Sequence, residues 1–261
     1  MSGESSAIDF EPLDGTSLAN HLDDLLRDWP YEPDTVSVRL VECADGRDVI
    51  QMRIEMGILQ LEATGRPDGI RPQGRATYLE YLHDLEADEG DAFPLDDEQC
   101  QECDREFVQF YHRRVCWLAL QEYERAIKDA DHTLALMDMC SRHSPSEEWT
   151  LSHEQYRPFV LYHRIQADAM ANLLNEDAEA AIQAINRGLD DIRRFFTTHE
   201  IEDRFDDDDL VRRLIELRES LREQFDVGKT LQEQLAEAIA DEQYELAARL
   251  RDELRNNDKK R

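Results

Sequence analysis

The chain has 261 residues and a formal net charge of −30, from 60 acidic and 30 basic residues. That length supports one large domain or two modest ones with no disulfide staples. So acidic a body repels phosphate backbones, which argues against direct, sequence-independent binding of DNA or RNA. Five scattered cysteines (Cys43, Cys100, Cys103, Cys116, Cys140), a first stretch without the pattern of a secretory signal, and charges interrupting every apolar run predict a cytoplasmic, reducing setting with no membrane span.

The charge is uneven: −8 over residues 1–35, 0 over 36–78, −11 over 79–111, −10 over 112–226 and −1 over 227–261. Those shifts suggest a division into an N-terminal helical segment (1–35), a β-hairpin plus helix (36–95), a helical domain (96–226) and a C-terminal helical unit (227–261), a mainly α fold overall. In chain order, Leu18, Leu22, Leu25, Leu26 and Trp29 recur at helical spacing behind a Thr16 cap, and Pro30 ends the run. Alternation of Val36, Val38 and Leu40, the turn ADGR, then alternation of Ile50, Met52, Ile54 and Met56 predicts a β-hairpin. Beyond Gly57 the apolar phase slips by one, to Leu59, Leu61 and Ala63, as expected of a long strand kinked at a bulge or bend at Gly57.

Residues 65–75, GRPDGIRPQGR, hold three glycines, two prolines and three arginines. They suit a rigid connector, or a cationic recognition loop built on Arg66, Arg71 and Arg75. Helical spacing of Tyr78, Leu79, Leu82 and Leu85 follows, and from Asp96 to Phe225 only helical periodicity is present. Residues 105–137 read as two antiparallel helices turning near Gln121 and Glu122, and the phrase recurs at 173–192. Aligning the two pairs Ala126 with Ala181, Ala130 with Ile185 and Thr133 with Gly188. This resembles the tetratricopeptide repeat, in which small residues let paired helices approach closely, although the copies are offset by 55 residues and lack the closing proline. Residues 141–158 are expected to be an irregular insert. The aspartates of 206–209 suit the start of a further amphipathic helix, a solvated charge run rather than a calcium loop.

Little here carries chemistry. Cys100 and Cys103 with His112 and Cys116 superficially suggest zinc, but at about 100° per residue the first two share a helix face with Phe107, Tyr111 and Leu118 while the others fall elsewhere. Buried cysteines acting as small hydrophobes are expected, with no metal and no cofactor. The eight histidines form no HExxH pattern, and GxSxG and glycine-rich phosphate motifs are absent, so no catalytic residues are assigned.

In the last segment, Leu231, Leu235, Ala238 and Ile239 share one helical face and Tyr244, Ala247, Ala248, Leu250 and Leu254 another. Periodicity alone allows one continuous helix of about 30 residues. The spacing of Leu235, Ile239, Glu242, Tyr244, Ala247, Ala248, Leu250, Arg251 and Leu254 closely resembles the UVR motif, the helical hairpin of UvrB, UvrC, ClpC-type chaperones and McsA-type activators. That resemblance implies a hairpin whose seam holds Tyr244, Ala247 and Ala248. It also implies a protein-docking module using Leu235, Ile239, Tyr244, Ala247, Ala248, Arg251 and Leu254, which binds UVR-containing partners or a second copy of itself. Helicase, nuclease and ATPase motifs are missing, so no activity comes with it. The hairpin and arginine loop upstream look similar to uncharacterised UVR proteins of planctomycete-type bacteria. The expectation is a bacterial non-enzymatic adaptor. The alternatives are a regulator of nucleotide excision repair or Clp-type proteolysis acting through UVR pairing, and an enzyme centred on the 65–75 loop.

Overall fold

The computed structural model describes residues 22–90 and 93–258. Among them the order is α1 (Asp23–Asp28), β1 (Val38–Glu42), β2 (Asp48–Ile54), β3 (Gly57–Glu62), α2 (Tyr78–Glu89), α3 (Asp97–Ala119), α4 (Tyr123–Arg142), α5 (Glu147–Glu154), α6 (Arg157–Leu174), α7 (Ala178–Thr198), α8 (Asp209–Phe225), α9 (Leu231–Ala240) and α10 (Tyr244–Asp258). A fold of ten helices with one small antiparallel sheet is mainly α. Thr16 and the first turns of the helix expected from residue 16 lie outside the described residues; α1 is the short remainder, with Leu22 at its N-cap.

The sheet corrects one expectation. Gly57 is not a bulge in a single kinked strand: it pairs with Ile54 across a reversal at Glu55 and Met56, so the strands form a meander in the order β1-β2-β3. Reversal explains the slipped phase, because Met52 faces both Val38 and Leu59, and Ile50 faces both Leu40 and Leu61. One face therefore carries Val38, Ile50, Met52, Leu59 and Leu61, and it packs on Cys116, Trp117, Tyr123 and Ala126 of α3 and α4 and on Ala167 and Ala171 of α6. Arg53, from the opposite phase of β2, is also buried: it donates to the carbonyls of Trp29 (2.8 Å) and Gly57 (2.8 Å) and so ties α1 to the sheet.

The helical body repeats one construction. At Gln121 (φ 59°) the N–H groups of Gln121 and Glu122 reach the carbonyls of Leu118 and Trp117, and at Glu176 (φ 61°) those of Glu176 and Asp177 reach Leu173 and Asn172. These are Schellman closures with a left-handed residue that is not glycine. They join α3 to α4 and α6 to α7, 55 residues apart, with α6 packed against both α4 and α7. The paired small positions Ala126 and Ala181, Ala130 and Ile185, and Thr133 and Gly188 are all buried. Gly188 sits where an added Cβ would lie 2.2 Å from Ile165, so α6 and α7 approach to backbone distance there. Residues 141–158 are more regular than expected. Ser146 caps the first turn of α5 by accepting from the Trp149 N–H (3.2 Å), and Trp149 packs onto the core formed by Tyr78, Leu82, Cys103 and Met139. Asp208 does the same for α8, accepting from the Leu210 (2.9 Å) and Val211 (3.1 Å) N–H groups.

Candidate protein-docking site

The C-terminal unit is a hairpin rather than one continuous helix. Thr230 opens α9 with a reciprocal capping box: its hydroxyl accepts from the Glu233 N–H (3.3 Å) and its own N–H donates to the Glu233 carboxylate (2.8 Å). The same carboxylate is held by Arg222 of α8 and lies 3.8 Å from Arg218, so the cap also fastens the hairpin to the body. Burial works to raise the Glu233 carboxyl, but the Thr230 N–H and the Arg222 guanidinium outweigh it, and it titrates below the ordinary value. Asp241 closes α9 instead of opening α10, Glu242 takes the left-handed conformation (φ 57°), and the Glu242 and Gln243 N–H groups reach Ile239 (3.1 Å) and Ala238 (2.7 Å). This is the turn of the two upstream hairpins again, as it is at Glu200 (φ 57°) after α7.

The seam differs from the one the UVR resemblance implied. Ala238, Ala247 and Leu250 are buried against each other with Leu231, Leu235 and Leu246. Alanine at the crossing lets the two backbones come close, and the flanking leucines supply apolar area worth roughly 25 cal/mol per Å². Tyr244 is not in this seam. It is 68% exposed and Ile239 is 54% exposed, one on each side of the turn, so the tip of the hairpin presents two large apolar side chains to solvent. Of the other candidate residues, Ala248 and Leu254 are half-buried along the hairpin, and Arg251 is exposed beside Asp252 (3.7 Å). The structure thus divides the seven: Leu235 and Ala247 build the hairpin, whereas Ile239, Tyr244 and Arg251 face outward.

The three loop arginines are not brought together. Arg66 is buried, with its Nη1 2.7 Å from Glu102 and its Nε close to Asp68 (3.4 Å) and Glu106 (3.7 Å), which makes it part of the scaffold. The Arg66 N–H bonds to the Ala76 carbonyl (2.8 Å) and the Glu62 N–H to the Pro67 carbonyl (2.8 Å), stitching the ends of the loop. Arg75 is exposed and paired with Asp84; Arg71 and Ile70 are exposed at the outer bend. A cleft of about 370 Å³ beside the loop is lined by Arg66, Tyr78, Tyr81, Glu102 and Arg105, but by neither Arg71 nor Arg75.

Sequence periodicity missed the polar centre beneath this loop. Glu106 is fully buried and accepts from the Tyr78 (2.6 Å) and Leu79 (3.0 Å) N–H groups, capping α2 from another helix, with His132 2.9 Å away. Arg113 grips Asp129 with two bonds (2.9 and 2.7 Å) and donates to the Glu62 (3.1 Å) and Gly65 (2.7 Å) carbonyls. Buried Arg114 donates to Thr133 (2.9 Å) and to His163 Nδ1 (3.3 Å), and burial lowers it to about 10. The only available signal was an excess of charge on an otherwise amphipathic α3. Cys100, Cys103 and Cys140 lie in one apolar cluster and Cys116 in another, under the sheet, where burial raises Cys100 to about 11 and Cys116 to about 12. Among the described residues no three His, Cys, Asp or Glu side chains are grouped so as to hold a metal ion, and no helix is long and apolar enough to cross a membrane.

A scan against protein families matches the UvrB/uvrC motif, UVR, over residues 229–258, the segment from the residue before the Thr230 cap to the end of α10. No curated protein and no solved structure matches the chain.

Proposed function

We propose that the chain is a non-enzymatic adaptor that docks onto a protein partner through the tip of its UVR hairpin. The observation that carries this is the exposure of Ile239 and Tyr244 on either side of a tightly closed turn. Large side chains left in water on a rigid support lose little entropy when they are covered, which suits a docking anchor. A partner with its own UVR hairpin, from the excision-repair machinery or a Clp-type protease, or a second copy of this chain, is the finer form of the same proposal. Helices α3, α4, α6 and α7 are read as tetratricopeptide-like, on the strength of their matching Schellman turns and small buried residues, and would offer a second surface. The 65–75 loop then acts as a stiff mount for Ile70 and Arg71.

The test is affinity capture from the native cell with the intact chain, a chain lacking residues 227–261, and the Ile239→Ser/Tyr244→Ser double variant. Partners captured by the first and lost from both others carry the proposal; identical partner sets in all three would end it. Sedimentation of the same proteins over a concentration series separates self-association from capture of another protein.

A further inference from the structure

The outer face of α3 changes character along its length. Asp97, Asp104, Val108, Tyr111 and Val115 recur at the seven- and four-residue spacings that place them on one side of the helix. Two carboxylates come first and the apolar residues follow. Val108 is 55% exposed, Tyr111 39%, and Tyr156, at the N-cap of α6, 58%. Tyr111 meets Phe159 of α6 with ring centroids 6.2 Å apart, and Phe159 lies one turn beyond Tyr156, which brings the first turn of α6 beside the apolar part of α3. The Asp104 side chain stays 51% exposed even though it accepts from His153 of α5 (2.8 Å), and it marks the acidic edge of the patch.

The charge beside this patch is more one-sided than the sequence suggests. Of the three arginines in α3, Arg113 and Arg114 are withdrawn into the core, and Arg105 is paired with Glu102. On α6, Arg157 is held by Glu154 and Asp138, and Arg164 by Asp131 (2.5 Å). What this face of α3 offers to an approaching partner is Asp97 and Asp104 in line with Val108 and Tyr111.

We propose that this α3–α6 face binds a basic amphipathic segment of another protein, its apolar side chains covering Val108, Tyr111 and Tyr156 and its Lys or Arg side chains reaching Asp104 and Asp97. Complementary charge sets the encounter rate and the register, while burial of the aromatic and aliphatic groups supplies the affinity. The inference deepens the adaptor reading by giving its second surface a partner chemistry, and it does not depend on the UVR hairpin.

The experiment is calorimetric titration of the full chain with a synthetic helical peptide of two Leu-Lys-Lys-Leu-Leu-Lys-Leu heptads, with the Glu-for-Lys peptide as control. The expected result is saturable one-to-one binding of the basic peptide alone. Affinity should fall about tenfold in Val108→Ser/Tyr156→Ser, which leaves the charge unchanged, and about threefold in Asp104→Asn. Glu223→Gln, an exposed neutralisation on α8, should have no effect, and Ile239→Ser/Tyr244→Ser should bind as the parent does. Unchanged affinity in Val108→Ser/Tyr156→Ser, equal losses in Asp104→Asn and Glu223→Gln, or equal binding of the acidic peptide would overturn the proposal. In each of those outcomes the attraction belongs to the acidic body as a whole, or there is no selective attraction. Loss of binding in the hairpin-tip variant alone would place the site on the UVR hairpin and also overturn it.

Discussion

Replacing Gly188 by alanine sets two effects of known sign against each other. Within a helix, glycine costs roughly 1 kcal/mol relative to alanine, so α7 taken alone should gain that much from the change. The packing opposes it. A Cβ at Gly188 would meet Ile165 Cγ1 at 2.2 Å, Cδ1 at 2.4 Å and Cγ2 at 2.9 Å, inside a cluster where Ile165, Ile185 and Ala169 are almost wholly buried. Because Cγ1 and Cγ2 branch from the same carbon, turning the isoleucine exchanges one clash for another, and the helices must separate instead. Overpacking of this kind costs about 3 kcal/mol, the upper part of the usual range, which leaves Gly188→Ala net destabilised by about 2 kcal/mol. For a chain of this size that lowers the melting midpoint by about 4–8 °C. Urea unfolding followed by far-ultraviolet circular dichroism on Gly188→Ala, Ile165→Ala and the double variant measures it. The double variant should be more stable than the sum of the single changes by about 1–2 kcal/mol, since the new methyl fills space the isoleucine vacates. A Gly188→Ala protein as stable as the parent, or more so, would show that helix propensity governs and that the close approach of α6 and α7 does not.

Burial holds the His163 imidazole down to about 4, and Arg114 presses the same way. Between that value and the ordinary 6.5 the unfolded chain binds a proton that the folded chain does not. Stability should therefore be complete above about pH 6.5 and fall by up to about 3 kcal/mol as the pH drops to 4. His163→Gln, which keeps an acceptor for Arg114, should flatten that limb of the stability profile; an unchanged slope would assign it to other groups. Glu106→Gln leaves Arg66 and His132 facing a neutral group and should cost roughly 3 kcal/mol in denaturant unfolding, against little or no change for exposed Glu98→Gln. Glu176→Gly relieves a left-handed residue while adding freedom to the unfolded chain, so it should be neutral to about 1 kcal/mol stabilising, whereas Glu176→Val should lose more than 1 kcal/mol. Thr230→Ala removes one arm of the capping box and should cost about 1 kcal/mol, visible as faster amide exchange across α9 before any change in α7.

Much of the fold was legible in the sequence because it rests on local rules. Helical spacing marked α2 to α4, α7 and α8, and strand alternation marked β1 and β2. The C-terminal hairpin was legible only through its resemblance to the UVR motif, which lies within 30 contiguous residues; periodicity alone allowed one continuous helix. What the sequence left undecided depends on which distant groups meet. Gly57 reads equally as a bulge or as the end of a reversal until β3 has β2 to pair with. Arg66 reads as a surface cation until Glu102 and Glu106, on a helix about 40 residues away, enclose it, and burying a charge is tolerable only beside such partners. Tyr244 was assigned to the seam by the UVR resemblance, yet the crossing of α9 over α10 is set by Ala238, Ala247 and Leu250, which turns Tyr244 and Ile239 outward. Local periodicity states that a residue lies on a face. Only the packing of the other elements decides whether that face is covered; Ile239 and Tyr244 at the hairpin tip, and Val108 on α3, are among the side chains it leaves in water.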